Sequence, residues 1–163
     1  MKRVYVSLLT ILVVALFPVS SHAQDVFNTV LKNAERIVSS PTSSFTNVRI
    51  NQFKCTGLRY IRKKAPEIQD NVSADFLDIQ AFYMTEFLAL FFKEILKNKN
   101  LPEETRKKKI LLFMDASCSN PLFNDKDEKT VKAYINADNE ITPFSLDTDW
   151  QKAYTAVQAQ LKK

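Results

Sequence analysis

Residues 74–97, ADFLDIQAFYMTEFLALFFKEILK, form the longest apolar run after the chain's leader-like start. Leu77, Ala81, Met84, Leu88, Phe91 and Ile95 recur at alternating spacings of four and three, which on a helix makes one continuous stripe. Phe76, Tyr83, Phe87 and Leu90 make a second stripe about a quarter-turn away, while Asp75, Asp78, Glu86, Lys93 and Lys97 take the remaining side. A helix apolar over more than half its circumference must be covered on two flanks, so the pattern predicts a central helix packed about by others. The run is long enough to span a bilayer. Asp78, Glu86 and Glu94 lie inside it, however, each costing up to roughly 3 kcal/mol at a bilayer centre. A buried helix is therefore expected, and no transmembrane helix in the mature chain.

Working outward, the first residues read as an address label. Lys2 and Arg3 make a basic start, Val4 to Phe17 is apolar except for Ser7 and Thr10, and Ser21-His22-Ala23 supplies small residues where a signal peptidase reads. Residues 1–23 are expected to be a signal peptide cut after Ala23, leaving 24–163 as a single exported domain, periplasmic or secreted. No cysteine follows the cut, so a lipid anchor there is not expected. Losing Lys2 and Arg3 takes the 23 basic groups to 21 against 18 acidic ones, a balance of +3. That is an ordinary surface charge, and nucleic acid is not expected as a partner. The same cut removes the chain's single histidine, His22. Ser-His-Asp and Cys-His triads, histidine-bearing zinc sites and histidine-ligated haem then have no histidine to use.

Cys55 and Cys118 are the two cysteines. An even pair in an exported chain usually bonds, so a Cys55–Cys118 disulfide is expected, worth roughly 4 kcal/mol by chain entropy. A single glycine, Gly57, leaves a β fold short of turn residues. Instead Pro41, Pro66, Pro102, Pro121 and Pro143 divide the chain into segments that each carry one plausible helix. The expected fold is all-α: a single-domain bundle of five to six helices around the central one. The first helix is placed at Asp25 to Val38. Val48 and Ile50 in the stretch 45–53 alternate as in a short strand, yet Ile50, Phe53, Gly57, Tyr60 and Ile61 fit a helical face. A helix from Ile50 to Ala65 with an extended lead-in is expected, ended by Pro66. Ser73 caps the central helix. A fourth helix runs from Pro102 to before Asn120. Asp125 with Glu128 opens a short helix to Ile135, and the last helix follows Asp147 or Thr148, with Thr148 and Gln151 as a capping box. Trp150, Tyr154, Val157 and Leu161 are expected to face inward.

Several stretches, NQFKCTGLRYI (51–61), DIQAFYMTEF (78–87), NPLFND (120–125) and ITPFSLDTDWQKAY (141–154), together with the start ending in His22-Ala23-Gln24, carry a resemblance. The chain resembles a family of small exported helical proteins of Gram-negative bacteria. The resemblance implies one exported domain and brings no activity or site residue with it.

Four constellations are candidates for function. Asn136, Asp138, Glu140, Thr142, Phe144 and Asp147 fall at calcium-loop positions, but Ile141 stands where the glycine should be and Asp147 where a glutamate should be. Turn and capping acids explain them better, and no metal or other cofactor is expected. Arg59, Arg62, Lys63 and Lys64, with Arg106, Lys107, Lys108 and Lys109, make a possible patch for an anionic partner such as lipopolysaccharide, a glycan or an acidic protein. Solvated helix ends explain the same residues. Asp78 and Glu86 share a side of the central helix, yet eight residues put them about 12 Å apart along its axis, too far for paired glycosidase carboxylates. Eleven mature phenylalanines, four tyrosines and Trp150 fill a core or line a ligand cavity between helices. The leading functional expectation is a non-enzymatic interaction module whose partner is a protein or envelope component. The alternative is a carrier of a small hydrophobic ligand, and a histidine-free hydrolase comes third.

Overall fold

The structure, a computed structural model, describes residues 25–68, 72–135 and 139–162. Those residues form six α-helices and no strand: α1 (Val26–Ser39), α2 (Phe45–Ile68), α3 (Ala74–Phe91), α4 (Glu103–Cys118), α5 (Glu128–Val131) and α6 (Trp150–Leu161). The proposed leader lies outside the described residues. No described helix is long and apolar enough to cross a membrane.

α3 is the hub the apolar stripes require. Ala81, Met84, Phe87, Leu88 and Phe91 are buried, and α1, α2 and α6 pack against it. Ser73 caps it, its hydroxyl accepting from the Phe76 N–H at 3.1 Å. The helix continues as a π-helical turn, Phe92–Leu96, that keeps Ile95 buried. Arg106 holds that turn, donating at 3.0 Å to the carbonyls of Ile95 and Asn98.

α1 and α2 run antiparallel, tied by the Arg59–Glu35 ion pair at 2.7 Å and by the Arg62 guanidinium over the Phe27 ring at 5.6 Å. The extended lead-in to α2 is not there. Ser44 accepts from the Asn47 N–H, and the chain is helical from Phe45, burying Ile50 while Phe45 is 71% exposed. Nor does Pro66 end the helix. It sits in the last turn, where Pro66, Glu67 and Ile68 are all exposed, so the helix loses one backbone bond near its end and continues to Ile68. Gly57 is the close-approach point of α2 and α3, because a Cβ there would meet the Met84 methyl at 2.8 Å.

The core is aromatic. Phe53, Phe87, Phe91, Phe113, Phe144 and Trp150 are all fully buried, with ring centroids 4.9–5.9 Å apart and edge-to-face geometry. Phe144 comes from an irregular segment, and every residue from Thr142 to Trp150 is buried. A buried loop must pair its backbone polar groups, and this one does so with its neighbours. Leu146 N–H donates to the Val131 carbonyl at 3.1 Å, Asp149 N–H to the Asn120 carbonyl at 2.7 Å, and Ser145 N–H to the Ser117 hydroxyl at 3.0 Å.

Both expected caps move. Asp127, not Asp125, caps α5 by accepting from the Thr130 N–H, which leaves Asp125 for a tertiary contact. Asp149 caps α6 by accepting from the Lys152 N–H, while Asp147 and Thr148 turn into the fold. Capping motifs recur every few residues in this acidic stretch, and burial decides which carboxylate can reach a free helix end.

The expected disulfide is absent as well: Cys55 and Cys118 are free and not near each other. Cys55 is buried beside Val38 and Arg59 in the α1–α2 seam, whereas Cys118 is exposed at the end of α4 beside Pro121 and Val131. A bridge needs Cα atoms within about 7 Å, and an even count says nothing about distance. Burial raises the pKa of the Cys55 thiol; at Cys118, partial burial and then the Asp115 carboxylate do the same. Thiol titration should find one slowly reacting group in the native protein and two after unfolding, and intact mass should show no loss of two hydrogens.

Candidate functional site

Three acids, Asp78, Asp125 and Asp147, are engaged in holding the fold, whereas Glu86, half-buried on α3, has no hydrogen bond or ion pair among the described residues. Asp147 is buried and accepts three backbone N–H groups, from Leu122 at 3.0 Å, Phe123 at 2.8 Å and Asp125 at 2.8 Å. Asp125 accepts the Tyr60 hydroxyl at 2.9 Å and lies 3.5 Å from the Lys64 ammonium. Burial would raise the Asp125 pKa, but the Asp127 N–H, the Tyr60 hydroxyl and Lys64 outweigh it and hold the carboxyl below its ordinary value. Tyr60 moves the other way, pushed up by burial first and by its bond to Asp125 second. Asp78 accepts the Phe27 N–H at 2.8 Å and so caps α1 from across the bundle. Ser117, Ser145 and Thr148 close the same knot, with the Ser117 and Thr148 hydroxyls 2.7 Å apart.

A cleft of about 370 Å³ opens over this knot, lined by Cys118, Asp125, Glu128, Lys132, Ser145 and Asp147 among others. Its inner polar atoms already have protein partners, so it offers a substrate few unmet donors or acceptors. Among the described residues no three His, Cys, Asp or Glu side chains are placed to hold a metal ion. Of the calcium-loop positions, 136 and 138 lie outside the described residues. Thr142 is held by the Asn139 side chain, and Asp147 is turned to backbone N–H groups.

The basic residues fall into two groups at opposite ends of the bundle. Arg62 lies beside Ala74 and Asp78 at the start of α3, whereas Arg106 grips Ile95 and Asn98 past its end. At 1.5 Å per residue these sites are roughly 25–30 Å apart. Most of the charges also have internal work. Arg59 pairs with Glu35, Arg62 stacks on Phe27, and Lys64 pairs with Glu67 and Asp125. Lys107 pairs with Glu103 at 2.8 Å and Lys109 with Glu94 at 2.6 Å. Lys63 and Lys108 are exposed without an ion pair among the described residues. The eight residues do not make one patch.

Sequence reading did not single out the outer face of α4. Its inner side buries Phe113 and Ala116, and Ile110 packs against the edge of that core, yet Leu111 is exposed and Met114 only half-buried. With Pro143, Ile110, Leu111 and Met114 floor a groove of about 290 Å³, flanked by Lys107, Asn139 and Glu140. Leu111 is 55% exposed there. The signal was present in Ile110-Leu111-Leu112-Phe113-Met114, a run too continuous to be buried by one face of one helix. The fold and this groove define a helical domain with an aromatic core and an apolar groove on its surface. Compared with known protein families, curated proteins and solved structures, the chain matches none of them.

Proposed function

We propose that this protein is an exported, non-enzymatic interaction module that receives large apolar side chains of a partner protein in the α4 groove. The exposure of Leu111 beside Ile110, Met114 and Pro143 carries the reading. Apolar side chains grouped around a concavity favour docking over solvent. Lys107 and Glu140 at the rim add orientation. Export rests on residues 1–23, and the resemblance to small exported helical proteins of Gram-negative bacteria supports the same placement. The edge-to-face packing of the core rings favours this reading over a carrier with its ligand between the helices. The carboxylates engaged by backbone N–H groups favour it over a hydrolase.

Leu111→Glu is the test. At an exposed site it should change stability by about 0.5 kcal/mol or less. Chemical cross-linking in the native cell envelope should then capture a partner with the unaltered protein and about tenfold less with the variant. Equal capture by both would sink the proposal.

A further inference from the structure

α3, with the π-helical turn that continues it and carries Lys93, has a further ordered stripe on its outer face. Asp75, Ile79, Phe82, Glu86, Ala89 and Lys93 recur at spacings of four, three, four, three and four, the period of a helix that pairs lengthwise with another. Glu86 is half-buried and the other five are exposed, with Ile79 at 41% and Phe82 at 50%. The Phe82 ring meets Tyr83 edge-on at 5.2 Å, and Tyr83 meets Tyr154 of α6 at 5.7 Å. Ring contacts thus link the exposed Phe82 through Tyr83 to α6.

The order of residues along the stripe indicates what covers it. We infer that the outer stripe of α3 pairs antiparallel with the same stripe of a second copy of this chain. A two-fold axis over position 84 sets Asp75 opposite Lys93 of the copy, Ile79 opposite Ala89, and Phe82 opposite Glu86. Every such contact occurs twice, as an isologous dimer requires. The ends are of opposite charge, and neither Asp75 nor Lys93 has an ion pair among the described residues. Ala89 is small enough to receive Ile79, and the two Phe82 rings, each about 3 Å from the axis along the helix, lie side by side.

Charge also disfavours the other arrangements. A parallel pair would set Asp75 against Asp75 and Lys93 against Lys93. An axis over Phe82 would set Asp75 against Ala89 and leave Lys93 with no acid of α3 opposite it. The chosen register has one unfavourable feature, two Glu86 carboxylates near the axis, so Glu86→Gln should tighten the dimer.

Light scattering and sedimentation of the purified protein test this. A dimer is expected at about 100 µM, weakened by salt. Phe82→Glu should leave a monomer. Asp75→Lys and Lys93→Glu should each weaken association about tenfold, and the two together should restore it. Leu111→Glu on α4 should leave the dimer intact, which separates this surface from the partner groove. Thermal melts confirm that each variant is folded. A wild-type monomer at that concentration, or a double reversal no better than the single ones, overturns the inference. So does a dimer lost through Leu111→Glu and kept by the α3 variants.

Discussion

Asp147→Ala should lower the free energy of unfolding by about 3–5 kcal/mol. The carboxylate is buried and is the acceptor for the N–H groups of Leu122, Phe123 and Asp125. Alanine removes the shared acceptor of three N–H groups at once, two of them on Oδ1 and one on Oδ2. It also frees the backbone that presents Asp125 to Tyr60 and Lys64. For a domain of this size the melting midpoint should fall by about 10 °C. Asp147→Asn keeps the shape but only one carbonyl acceptor, so it should fall between the two. Urea unfolding followed by far-UV circular dichroism measures all three proteins. An alanine variant within 1 kcal/mol of the parent would mean that the 120s loop is held by something else.

Phe87→Ala should cost about 3–5 kcal/mol by opening a cavity at the centre of the ring cluster. Phe87 is fully buried, with centroids of Phe113, Phe144 and Trp150 at 5.2, 5.2 and 5.3 Å. These partners come from α4, the irregular segment and α6, so one deletion loosens three parts of the chain at once. Phe82, five residues earlier on the same helix, is half exposed, and Phe82→Ala should cost well under 1 kcal/mol in the monomer. Comparable losses for the two would contradict the assignment of inner and outer faces.

The contrast between Phe82 and Phe87 also marks how far the sequence could be read. The inward stripe from Leu77 to Ile95 was legible because spacing alone fixes which residues share a face. The helix starts at Ala74 and Glu103 fall where the Ser73 cap and Pro102 put them, and the start at Val26 is within a residue of where the apolar face of the first helix put it. The helix over 45–53 was not legible, because Val48 and Ile50 alternate in a way that suits strand or helix until a neighbour chooses. The α4 groove was hidden differently. Ile110 to Met114 announces burial, but only the packing shows that one side of that helix is left uncovered.

What the amino-acid order determined by itself was the all-helical class, the central helix and its buried face, since periodicity and glycine scarcity are local properties of the chain. Tertiary structure decided the rest: which aspartate caps which helix, that Cys55 and Cys118 stand apart, and that residues 142–149 form a buried layer without regular structure. Those outcomes depend on distances between residues far apart in the chain. A carboxylate such as Asp147 reads the same in sequence whether it faces water or gathers three N–H groups, and only its neighbours in space separate the two.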